Sequence, residues 1–189
     1  MKHFHLVLLL ALGACVSFTP VPREGMLAVQ QEAWWMRMRA LCGKSFEGRL
    51  VEGNATDSAF QRNRLVMRVD DCRPEEIGIR LHVGTNHSRT WFIRRTDDGL
   101  HLRHRHLHED GTEGQPTGYG GGTRGPGTAE RQEFYADAAT ARMLPAAARN
   151  VWTMEAAPGR AFGYALRREG TDRRFRVEFD LRRPLAAGR

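Results

Sequence analysis

The sequence predicts an all-β domain: an antiparallel meander of about nine short strands closing into a barrel, with an N-terminal amphipathic helix. Three observations carry this expectation. After residue 43, apolar side chains recur at every second position, the rhythm of strands with one buried face. Turn residues punctuate the runs at Gly53–Asn54, Asp98–Gly99, Pro158–Gly159 and Gly170–Thr171–Asp172. A chain of 189 residues with 41% hydrophobic and 27% charged side chains suits one domain with a real core and is too short for a multidomain enzyme.

The elements follow in order. Residues 26–43 contain no Gly or Pro before Gly43 and place Leu27, Trp34, Met38 and Leu41 on one helical stripe. Gly43 stands where a helix end favours positive φ. The Trp34–Trp35 pair belongs to packing on that stripe rather than to a stacking site. The barrel is expected over 44–184. Its alternating sets are Phe46 and Leu50; Leu65, Met67 and Val69; Ile77, Ile79, Leu81 and Val83; Trp91 and Ile93; Phe162, Tyr164 and Leu166; and Phe175, Val177, Phe179 and Leu181. Further strands are expected near 100–108, 128–135 and 151–155, and residues 185–189 form a tail. A short helix over 138–144 has Asp137 as its N-cap and Pro145 as its limit. The segment from Gly118 to Gly127 holds a literal Gly-x-Gly-x-x-Gly at Gly120, Gly122 and Gly125. Pro126–Gly127 follows where a dinucleotide site needs a helix, so it reads as a mobile loop.

The first residues set the expected location. Lys2, the apolar run from Phe4 to Leu12 and the small residues after it have the layout of a secretory signal over 1–14. Leu12–Gly13–Ala14–Cys15 resembles the lipobox of bacterial lipoproteins. That resemblance implies lipidation of Cys15, a tether over 15–25 and a membrane partner reached through the lipid, with ordinary secretion and Cys15 as a spare thiol as the alternative. Val16, where those proteins carry Asp for inner-membrane retention, implies the outer membrane, facing the periplasm. With Cys15 assigned to lipid, Cys42 and Cys72 remain as an even pair, candidates for a disulfide in an oxidising compartment, with two reduced thiols as the alternative. Of 29 basic residues only Lys2 and Lys44 are Lys. The Arg residues are scattered, with no basic helix or tail, so a nucleic-acid partner is not expected.

Two wider resemblances bear on the domain. An N-terminal helix leading into a barrel, with Leu41–Cys42–Gly43–Lys44–Ser45–Phe46 at the entry, loosely resembles the calycin architecture of lipocalins, although Phe stands where their Gly-x-Trp motif has Trp. His82–Val83–Gly84, Arg89–Thr90–Trp91, His108–Glu109–Asp110–Gly111 and Phe175–Arg176–Val177–Glu178–Phe179–Asp180–Leu181 are similar to uncharacterised secreted or lipid-anchored proteins of GC-rich proteobacteria. This similarity implies a shared fold and an envelope location, and no activity.

The densest chemistry lies in Leu100–His101–Leu102–Arg103–His104–Arg105–His106–Leu107–His108–Glu109–Asp110. On a strand, Leu100, Leu102, His104, His106 and His108 share a face. A two-residue turn at Asp98–Gly99 sets Ile93 opposite His104 and Trp91 opposite His106. Those apolar neighbours turn the His row inward, from a packed end at Leu100 to a wetter end at His108. Trp91, His104, His106, His108 and Tyr164 are the candidate ligand-binding residues. His104, His106 and Glu109 could bind a divalent metal, but same-face residues are about 7 Å apart, so one ion could take two of the row at most. No nucleophile elbow, phosphate loop or zinc-protease helix is present, and no cofactor or catalytic residue is expected. The preferred expectation is a non-enzymatic envelope lipoprotein whose barrel binds a small apolar or amphipathic ligand, or a protein partner. The alternatives are a metal-binding protein or enzyme using the histidine strand, and a structural or assembly lipoprotein with a filled core.

Overall fold

The computed structural model describes residues 26–108 and 110–186. The expected signal, Cys15, the tether and Glu109 lie outside these residues. Ten strands form the sheet: β1 (Ser45–Glu52), β2 (Leu65–Cys72), β3 (Glu76–Val83), β4 (Asn86–Thr96), β5 (Gly99–His106), β6 (Tyr119–Gly122), β7 (Arg131–Ala136), β8 (Asn150–Ala157), β9 (Ala161–Arg168) and β10 (Arg174–Pro184). Each pairs antiparallel with the next, and β10 returns to β1, so the barrel is closed. Closure leaves no sheet edge to protect. Lipocalin barrels have eight strands; this one has ten.

The alternation explains the core. The inward residues Met67, Val69, Ile77, Ile79, Ile93, Leu102, Phe134, Phe162, Val177 and Phe179 are completely buried. Their outward neighbours carry the arginines, which pair across strands as Arg131–Glu155, Arg176–Glu155 and Arg94–Glu76 do.

Two local expectations need correction. The glycine-rich segment is not wholly a loop, because Tyr119–Gly122 is strand β6, pairing with β5 on one side and β7 on the other. Three glycines carry no polar–apolar rhythm, so the strand has no periodic signal. It forms because neighbouring backbones approach it closely. Thr140 also answers Gly120 twice, its hydroxyl accepting the Gly120 N–H and donating to the Gly120 carbonyl, both at 2.7 Å. The second correction concerns the β4–β5 hairpin, which turns at Asp97–Asp98, with Thr96 opposite Gly99. Trp91 therefore faces His104, and Arg89 faces His106. The displacement from the expected register is an even number of residues, so no side chain changes face.

The two barrel ends differ. The lower end is plugged by α1 (Val29–Arg39), shorter than the expected 26–43, whose Trp34, Trp35 and Met38 are buried. Trp34 meets Phe134 edge-on at 6.3 Å. Arg95 covers Trp35 at 5.6 Å and pairs with Glu32 at 2.8 Å. Gln31 donates to the Thr123 hydroxyl at 2.9 Å and to the Gly125 carbonyl at 3.2 Å. Cys42 and Cys72 form the expected disulfide, fastening the end of α1 to the β2–β3 turn. At the upper end the connections are longer. They include α2 (Ser58–Arg62) and α3 (Ala138–Met143), the latter capped by Asp137, whose carboxylate accepts the Thr140 N–H at 2.8 Å. Among the described residues no helix is long and apolar enough to cross a membrane.

Candidate ligand-binding site

The inward rows of β4, β5, β8, β9 and β10 change character as they climb. On β5 the order is Leu100 and Leu102 fully buried, His104 buried and His106 half-buried, and His108, past the end of the strand, is exposed. The expected gradient is present, and the reason is the plug: α1 fills the lower lumen and, among the described residues, nothing comparable fills the upper. A cavity of about 280 Å3 remains there. Trp91 from β4, His104 and His106 from β5 and Tyr164 from β9 all line it. So do Tyr119, Trp152, Phe60 and Phe175. His108 does not: it borders a groove of about 920 Å3 on the outer wall with Arg80 and Phe92, whose neighbours in sequence face the lumen.

At the floor of the cavity the polar atoms answer one another. His104 Nδ1 lies 3.2 Å from the Tyr119 carbonyl and Nε2 lies 2.6 Å from the Tyr164 hydroxyl. A carbonyl only accepts, so Nδ1 carries the proton, and Tyr164 donates to Nε2. The rings pack as they bond. Tyr119 stacks on His104 at 4.5 Å, and Trp91 stacks on Tyr164 at 4.1 Å. Trp152 leans against His104 at 5.0 Å. Burial drives the His104 pKa down to about 3, with the nearby His106 and Arg103 adding to it against the Tyr119 hydrogen bond. Burial likewise raises Tyr164 far above the ordinary phenol value and raises Tyr119. His106 is lowered by burial and then by Arg89.

This arrangement does not suit a metal. The lone pair of His104 Nε2 is taken by Tyr164, and among the described residues no three His, Cys, Asp or Glu side chains converge. It does not suit general base chemistry either, since a base with a pKa about 3 and no free lone pair has little to offer near neutrality.

The neutral His104 has a consequence for stability. The unfolded chain takes up a proton at about pH 6.5 that the folded chain refuses. Stability is therefore complete above that pH and is lost as pH falls toward the folded value of about 3. Urea unfolding is expected to show a loss of about 2 kcal/mol between pH 7.5 and 5, above the range where carboxylates titrate. His82 and His106, also lowered, act in the same direction. His104→Gln keeps an acceptor for Tyr164 and should flatten the slope by nearly one proton. An unchanged slope in that variant would contradict the buried neutral ring.

The rim carries charge. Arg173 grips Asp57 through two hydrogen bonds, at 2.6 and 2.7 Å, although the partners are 116 residues apart. Arg89 lies over the Phe60 ring at 5.5 Å. Asn150, buried on the inward row of β8, accepts the Arg168 Nε–H at 2.9 Å. None of Asp57, Arg89, Asn150, Tyr119 or Trp152 was singled out by the sequence as a site residue. For Arg89, Asn150 and Trp152 a signal existed, because they share inward parity with Trp91 and Met154. For Asp57 there was none, since it sits in a 3-10 turn, Ala55–Asp57, outside any strand. Set against known proteins, the chain matches no protein-family model, no curated protein and no solved structure.

Proposed function

We propose that the protein is a non-enzymatic envelope lipoprotein, anchored through Cys15, whose barrel holds a small, mostly apolar molecule in its upper cavity. The observation that supports this reading is the cavity itself: an aromatic-walled space of about 280 Å3 at the unplugged end, with a buried polar floor whose groups satisfy one another. Ligand pockets combine apolar walls with a few placed polar groups, and this volume lies just below their usual range of about 300–1,000 Å3. The occupant is then of one or two rings, or a short chain, rather than a haem-sized group. The lower lumen, solid with Trp34, Trp35, Phe134, Phe162 and Phe179, favours a second reading, that of a structural barrel with no physiological ligand.

Calorimetry with naphthalene-2-carboxamide, an uncharged two-ring probe, separates the readings. Saturable binding is expected, and Leu166→Trp, which fills the cavity from β9, should weaken it about tenfold or more. Absence of saturable binding would favour the structural reading. Equal binding by the filled variant would place the probe elsewhere.

A further inference from the structure

We propose that the upper cavity selects molecules bearing one anionic group, which docks on Arg89 with His106 and Asn150 while the apolar body lies against the aromatic wall. The proposal rests on the reading of the cavity as a binding site and names the class of occupant.

Arg89 sits on the inward row of β4, two residues above Trp91 and opposite His106. Its side chain is half-buried against Phe60, and among the described residues it has no hydrogen-bond acceptor and no carboxylate within 4.0 Å. A guanidinium has five N–H donors, and leaving them unanswered in a partly dry site is costly. The neighbouring arginines show how this protein otherwise handles such groups. Arg173 is held by Asp57, and Arg105 by Glu113 at 2.9 Å. Asp57 is the one acidic residue on the cavity among the described residues, and Arg173 takes both of its oxygens.

Two further groups point the same way. Asn150 is 6% exposed, and its amide oxygen is committed to Arg168. That leaves its NH2 as the free end, and it has no acceptor among the described residues. His106 is a neutral ring beside Arg89 and can donate one N–H. Among the described residues the site thus offers one unpaired positive charge and several unanswered donors, facing aromatic rings, with no unpaired carboxylate to welcome a cation. Such a site favours a carboxylate, sulfonate or phosphate ester on a small aromatic or aliphatic body.

The test compares naphthalene-2-carboxylate with its uncharged carboxamide by calorimetry on the wild-type protein, Arg89→Gln, and Arg94→Gln as a variant of equal charge change on the outer wall. The wild type and Arg94→Gln are expected to bind the carboxylate about tenfold tighter than the amide, with the preference shrinking in high salt. In Arg89→Gln the preference for the carboxylate over the amide disappears. Binding of the amide without preference for the acid, or a preference that survives in Arg89→Gln, overturns this inference alone. Failure of both probes to bind the wild type overturns the binding reading together with it.

Discussion

Gly121→Ala is expected to destabilise the protein by at least about 3 kcal/mol, and at growth temperature to leave little folded chain. A Cβ at this position would stand 1.7 Å from the Tyr135 carbonyl oxygen, 2.7 Å from its carbon and 2.9 Å from the Asp137 nitrogen. All three are backbone atoms, so no rotamer change relieves the clash. Only β6 and β7 sliding apart would make room. Their ladder has just two residue pairs, Gly121 with Ala136 and Gly122 with Tyr135. Separating them opens the barrel between β5 and β8 and exposes Phe134. Gly125→Ala, four residues on, meets nothing within 4 Å and should leave stability unchanged to within about 0.5 kcal/mol. Urea unfolding of the two variants side by side is decisive. A Gly121→Ala protein as stable as Gly125→Ala would mean that β6 does not close the sheet as described.

Loss of the Cys42–Cys72 bridge is expected to cost about 3–4 kcal/mol, the loop entropy returned to the unfolded chain when a link across 30 residues is cut. The effect should be uneven across the molecule. The bridge ties the end of α1 to the β2–β3 turn, where Arg39 also donates to the Arg73 carbonyl at 2.8 Å. In Cys42→Ala/Cys72→Ala, amide exchange should quicken in α1, whose Trp34, Trp35 and Met38 stopper the lumen. The His104–Tyr164 floor near the other end should keep its protection. Equal exchange throughout would instead indicate that helix and barrel unfold as one unit, and an unchanged unfolding midpoint would contradict a structural role for the bridge.

Much of the barrel could be read directly from the chain, and the particulars show why. Ile77, Ile79, Leu81 and Val83 alternate with Gly78, Arg80 and His82, and burial follows that pattern closely, Gly78 excepted since it has no side chain to expose. Asp137 heads its short helix because a carboxylate at that place answers a free N–H. The Asp98–Gly99 pair misplaced the β4–β5 turn by a single residue, since two adjacent aspartates ahead of a glycine satisfy more than one turn. β6 carries no such pattern, because a strand of glycine has no side chains to alternate. Its existence depends on Leu102 and Tyr135 carbonyls that lie beside it only after the sheet has rolled up.

The candidate site divides along the same line. That His104 points inward and sits between a dry end and a wet end follows from strand parity and from the residues beside it, which are local properties of the chain. That its Nε2 meets a tyrosine 60 residues away, that Asp57 is spent on Arg173, and that Arg89 is left with no partner among the described residues are not local at all. Alternation assigns a side chain to the inside or the outside of the wall. It does not say which residue stands across the lumen, because that is set by the curvature and stagger of ten strands together, and partnership across the lumen is what separates a neutral floor from a charged rim.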